Sequence, residues 1–97
     1  MIEGKTKTGF EYQVNEKILT DYRYITAAAR LTSKNHAERI LAWDKVAALL
    51  LGDKVQDLIA HIEELNDGFA PFDKMTLELN EIAEACIPKN STTSQES

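Results

Sequence analysis

Apolar residues recur at three- and four-residue spacing through the middle of the chain: Ile40, Leu41, Val46, Ala47 and Leu50, and then, after a break at Gly52, Val55, Leu58, Ile59, Ile62 and Leu65. That period is helical, with one greasy face on each helix, and it predicts two packed helices over residues 36–51 and 54–65. Gly52 marks their junction, because glycine accepts a left-handed helix end at little cost. Asp53 is expected to cap the second helix, with Gln56 completing a capping box.

Near the start the period changes to two. Phe10, Tyr12 and Val14 alternate with Glu11 and Gln13, as in a strand with one buried face, and residues 2–6 form the partner arm across a Lys7-Thr8-Gly9 turn. An isolated hairpin is marginal, so Phe10, Tyr12 and Val14 must lie on the helices or pair with another subunit's edge; Lys5 and Lys7 discourage the latter. The next helix opens with Asn15 or Thr20 as cap and Asp21 in its first turn. Its apolar stripe reads Tyr22, Ile25, Ala28 and Ala29, with Tyr24 beside it, and it stops near Leu31. Ser33 or Asn35 caps the helix that follows, Asn35 having Glu38 at the reciprocal position.

Trp43 falls three residues after Ile40 and three before Val46, which places its ring at the edge of the core. The helix over 54–65 turns Asp57, Glu63 and Glu64 away from Leu58, Ile62 and Leu65. Asn66-Asp67-Gly68 is a turn. Pro71 suits the first position of a last helix or the residues just ahead of it, and that helix is expected over about 72–86, with Met75, Leu79, Ile82, Ala83 and Cys86 on one face, Leu77 to the side, and Glu78, Glu81 and Glu84 on the other. Ile87-Pro88 ends it. Residues 89–97 are polar and rich in Ser and Thr, so they are expected to be disordered. The predicted fold is mainly α: an N-terminal β-hairpin followed by a compact bundle of about four helices in one domain, 1–88, with a disordered tail, 89–97.

Composition narrows the function classes. With 97 residues, the chain buries only about 60 to 65% of its unfolded surface, so nearly every apolar helix face is needed for one core and little remains for a buried active site. Charge is uneven. Residues 1–52 hold eight Lys or Arg against six Asp or Glu, net +2, whereas residues 53–84 hold Lys54 and Lys74 against nine carboxylates, net −7. An acidic surface disfavours a phosphate backbone, and the helix after Gly52 presents Asp53, Asp57, Glu63 and Glu64 where a groove-reading helix needs cations, so no nucleic-acid partner is expected. No secretory leader pattern and no apolar run of membrane-spanning length is seen, which leads to an expectation of a cytosolic protein without a membrane partner.

Chemistry is hard to build from these residues. His36 and His61 lie 25 positions apart, and no His-x-x-x-His or Cys-x-x-Cys pair nucleates a metal site. Cys86, the one cysteine, falls on an apolar helix face and reads as a buried thiol. The four glycines form no phosphate-cradling loop. Neither an enzyme nor a cofactor is expected.

The order of several motifs resembles a known family. Thr6 to Glu11 reads Thr-Lys-Thr-Gly-Phe-Glu, an Asp21-Tyr22 helix start follows, and Leu49-Leu50-Leu51-Gly52-Asp53 forms the central junction. An Asp67-Gly68 turn with Pro71 nearby, a Glu-containing last helix and Lys89-Asn90-Ser91 complete the series. In this order the chain resembles the tail assembly chaperones of long-tailed, non-contractile bacteriophages of Gram-positive hosts. Lys34-Asn35-His36 departs from the acidic-Asn-Pro run of that pattern, which touches the start of the second helix. The resemblance implies a non-enzymatic protein of the host cytoplasm, absent from the mature virion. It would bind the helical tape measure protein and keep it soluble while the tail tube assembles. The major tail protein and further copies of this chain are secondary partner candidates. Relatives often have a second, frameshifted form, and the 89–97 tail suits such a junction. A small phage regulator or host-protein binder, or a minor head-tail connector component, would use similar surfaces.

A chaperone of this kind needs an apolar patch with a polar rim. The candidates are Trp43, Phe69, Phe72 and Met75, with Asp57, Glu63, Glu64, Glu78 and Glu81 available to meet client lysines. The competing expectation, favoured for Phe69 and Phe72, is that these apolar residues complete the core.

Overall fold

A computed structural model describes residues 1–87, so the expected tail, 89–97, lies outside the described residues. The fold is mainly helical with an N-terminal hairpin. Strands β1 (Ile2–Lys5) and β2 (Glu11–Val14) pair antiparallel, Ile2 opposite Val14 and Gly4 opposite Tyr12. Helices α1 (Tyr22–Ala29), α2 (His36–Leu51), α3 (Val55–Leu65) and α4 (Phe72–Cys86) follow, close to the ranges the periodicity predicts.

The hairpin lies on the helices. Phe10, Tyr12 and Val14 are buried in the same cluster as Val46, Leu50, Leu58, Ile62, Leu79 and Ile82. Full burial of each large apolar side chain is worth about 1.5–3 kcal/mol, so Val14, Leu58 and Ile82, all at 0% exposure, anchor the fold. Gly4 is required for this docking. The Tyr12 ring crosses the strand pair over Gly4, where a Cβ would collide with the phenol.

Several local expectations change. Asn15 caps a 3₁₀ turn, Glu16–Thr20, by accepting from the Lys17 N–H at 3.0 Å. Asp21, rather than Thr20, is the cap of α1: its carboxylate accepts the Arg23 N–H at 2.8 Å and pairs with the Arg23 guanidinium at 3.0 Å. Those bonds from Arg23 hold the Asp21 carboxyl at about 2. The stripe of α1 is also rotated. Ala27 is buried and Tyr24 and Leu31 pack against the core, whereas Tyr22 and Ile25 are exposed at 79% and 51%. Both stripes fit a helical period, and the one through Tyr24, Ala27 and Leu31 is the one packed on the core.

Asn35 caps α2 by accepting from the Glu38 N–H, but Glu38 does not close the box on Asn35. Its carboxylate takes the Ser33 hydroxyl, and the Ser33 Oγ accepts the Asn35 N–H at 3.1 Å. Serine is thus inserted between the two halves of the motif. At the central junction Gly52 has φ +57° and ψ −126°, a region only glycine tolerates. The chain then tightens into a 3₁₀ turn, Gly52–Lys54, before α3, and Asp53 makes no capping bond. The turn after α3 satisfies the helix end differently, Gly68 N–H reaching the Glu63 carbonyl at 2.8 Å and Asn66 Nδ2 the Ile62 carbonyl at 2.8 Å. Leu65, placed inward by the period, is 54% exposed at this last turn.

Two substitutions test the backbone account. Gly52→Ala should lower unfolding free energy by about 1–3 kcal/mol through strain alone, since its side chain meets open space. Gly4→Ala should cost a similar amount, about 1–3 kcal/mol, by displacing Tyr12. Urea denaturation reads both, and only Gly4→Ala should also perturb the Tyr12 environment in near-ultraviolet circular dichroism.

Asp21 carries a pH prediction. Its folded pKa lies below its unfolded one, so its contribution is present above about pH 4 and is lost as pH falls toward 2. The thermal midpoint of Asp21→Asn should therefore fall less than that of wild type between pH 5 and pH 2.

Candidate partner-binding groove

Three helices leave an apolar groove between them. From α2 come Ile40, Trp43, Asp44 and Ala47, from α3 Val55 and Ile59, and from α4 Phe72, Met75, Thr76 and Leu79, around a cavity of about 200 Å³. The spacing explains the geometry. Residues three, four and seven apart project from one side of a helix, so each helix adds one row to the wall. Trp43 is half-buried, Ile40 and Phe72 stand at the lip with 38% and 45% exposure, and Asp44 is the one charged side chain of the wall.

Of the predicted patch, Trp43, Phe72 and Met75 meet in this groove. Phe69 does not line it and is 72% exposed. The expectation that Phe69 and Phe72 complete the core is thus overturned. Phe72 occupies the first position of α4, and Phe69 sits in the connector whose N–H bonds the Asn66 carbonyl, so neither ring is carried over the core. Ile40, Val55, Ile59 and Thr76 were missed as groove residues, and Ala47, 4% exposed, forms its floor. Their signal was present, since the row Ile40, Trp43, Ala47 is a stripe separate from Ala42, Val46 and Leu50.

The predicted carboxylates scatter. Asp57 and Glu64 border a shallow opening shared with Glu11, Phe10 and His61, away from the groove. Glu63 is half-buried. Glu78 does not face solvent as the helical period predicts; it is 4% exposed. Its Oε2 accepts the Thr8 hydroxyl at 2.9 Å, and the neighbouring Lys7 N–H donates to Glu81 Oε2 at 3.0 Å. These two carboxylates therefore hold the hairpin turn, rather than standing free for a client.

His61 joins the same clasp. Its Nε2 lies 3.0 Å from the Thr8 Oγ1, and its ring tilts against Phe10 at 5.7 Å. Because the Thr8 proton goes to Glu78, the imidazole N–H must donate to the hydroxyl oxygen. The histidine therefore does not act as a base on the threonine, and the triad-like composition does not activate a nucleophile. Glu78 Oε1 is buried without a hydrogen-bond partner. Cys86 is likewise unsuited to nucleophilic chemistry, since it is buried and burial raises its thiol pKa, with a smaller contribution from Glu16.

Among the described residues no cluster of His, Cys, Asp and Glu has the geometry to hold a metal ion. No helix among them is long and apolar enough to cross a membrane. Comparisons with protein-family models, curated proteins and solved structures find no match to the chain.

The clasp makes an asymmetric prediction. Thr8→Val leaves a buried carboxylate with fewer partners and should cost about 1–3 kcal/mol. Glu78→Leu removes both the bond and the unsatisfied oxygen, and should be near neutral or stabilising. In the double variant the cost of Thr8→Val should shrink, which a urea double-mutant cycle measures.

Proposed function

We propose that the chain is a non-enzymatic tail assembly chaperone of a long-tailed bacteriophage, binding the tape measure protein through the groove between α2, α3 and α4. The observation that carries this reading is the groove itself: an open apolar channel walled by Ile40, Trp43, Ile59, Phe72 and Met75 on the surface of a small acidic domain. A helical client presents apolar stripes that need cover until the tail tube encloses them, and a helix-walled groove takes such a stripe by its i, i+3, i+4 and i+7 side chains. Reversibility is part of the fit. A shallow site of about 200 Å³ buries a few anchors rather than a whole face, so the client can be handed on.

Two of the three walls, α3 and α4, belong to residues 53–84, net −7, although Asp44 of α2 is the one charged side chain that lines the groove. Their field favours approach of lysine- and arginine-rich helices and keeps the complex soluble. The resemblance in motif order from Thr6 to Ser91 supports the tape measure protein as client, and the apolar groove supports the mode of binding. In this reading the protein works in the host cytoplasm and leaves before the virion is complete.

The test is co-expression with the tape measure protein of the same genome. Wild type should co-purify with the client and raise its soluble yield. The Trp43→Ala, Phe72→Ala variant, shown by circular dichroism to be folded, should retain roughly tenfold less client, as expected when central aromatic anchors are removed. Failure of wild type to bind or solubilise the client would end the tape-measure reading and direct the search to host proteins.

A further inference from the structure

The wall of the groove holds one charge and nothing that neutralises it. Asp44 lies on the same side of α2 as Ile40 and Ala47, four residues after the first and three before the second, and it is exposed. Its own helix offers no partner, because the positions that neighbour it along α2 are Ile40, Leu41, Ala47 and Ala48, all apolar. Among the described residues no cationic nitrogen lies within ion-pair distance of it. On the α4 wall, Thr76 donates its hydroxyl proton to the Asp73 carbonyl of the same helix at 3.0 Å, so its oxygen is left as a further acceptor.

We infer that Asp44 selects the client: the groove takes a helix whose apolar stripe carries one Arg or Lys opposite this carboxylate, and rejects a stripe that is neutral or acidic there. The inference rests on the proposed reading of the groove as the site of a helical client. A helix laid over Ile40, Trp43 and Phe72 takes water away from Asp44. The lost hydration of a carboxylate is offset only by a well-placed cation, so covering it with an apolar residue is penalised. That penalty falls on the wrong client alone, which is how a single charge in an apolar wall gives specificity. Spacing sets the pattern. Ile40 and Ala47 stand about 6 Å and about 4.5 Å from Asp44 along the axis of α2, roughly one turn either way. A client lying along α2 therefore carries apolar residues three or four positions before and after its cation. The aliphatic stem of Arg or Lys then covers the apolar wall while its head reaches the carboxylate.

The experiment titrates the full chain with three synthetic helices of about 18 residues that lack tryptophan, share one leucine stripe and differ only in its central residue, Arg, Gln or Glu. Emission of Trp43, the single tryptophan, reads binding at the groove. Wild type should bind the Arg helix roughly fivefold more tightly than the Gln helix and the Glu helix most weakly, with the differences shrinking at high salt. Asp44→Asn should bind the Arg and Gln helices alike, with no loss of affinity for the Gln helix, and Asp44→Lys should prefer the Glu helix. Neither substitution removes an ion pair of the folded chain, and circular dichroism checks the fold. Equal affinity of wild type for the Arg and Gln helices, a preference that survives in Asp44→Asn, or no Trp43 response to any helix would each overturn the inference. The helices carry no tape measure sequence, so an Asp44-dependent preference stands even where the tape measure protein fails to co-purify; that failure counts against the identity of the client alone.

Discussion

The docking of the hairpin's inner face on the helices is the constraint on which the rest depends. Phe10, Tyr12 and Val14 supply one wall of the core against Val46, Leu58 and Ile82, and a domain this small has little other apolar surface to replace it. Two devices fix it. Gly4 lets Tyr12 lie flat across the strands, and the Lys7-Thr8 turn is held to α4 and α3 through Glu81, Glu78 and His61. The clasp has a cost, a carboxylate oxygen of Glu78 buried without a partner.

Once the hairpin covers one side of the core, α2 is left with apolar residues on more than that side. Ala42, Val46 and Leu50 are buried, while Ile40 and Trp43 form a separate row that α3 and α4 only partly cover. The groove is therefore a consequence of how a small domain spends its apolar surface. Its contiguous row of apolar side chains around a concave opening distinguishes it from the scattered apolar side chains of an ordinary surface.

Much of this was legible in the residues. Alternation at Phe10, Tyr12 and Val14 marked the hairpin, Gly52 marked the central break, and Pro71 and Cys86 bounded the last helix within its observed range. What failed did so where period alone cannot choose. Tyr22/Ile25 and Tyr24/Ala27 are both helical stripes, and the choice between them is made by the packing of α1 on α2, which no local period encodes. Glu78 sits on the polar side of its own helix, yet a turn 70 residues away in sequence covers it; no local pattern carries that information. The same holds for the site. Trp43, Phe72 and Met75 were identifiable as large apolar residues, but their convergence with Ile40 and Ile59 required the packing of three helices.

The central functional claim is that a helical client occupies this groove. Amide hydrogen exchange of the chain with and without a soluble helical fragment of the tape measure protein tests it most directly. The account predicts added protection confined to residues 40–47, 55–59 and 72–79, with the hairpin turn unchanged. Protection centred on the hairpin or on the opening beside Asp57 and Glu64, with the groove segments unaffected, would contradict it.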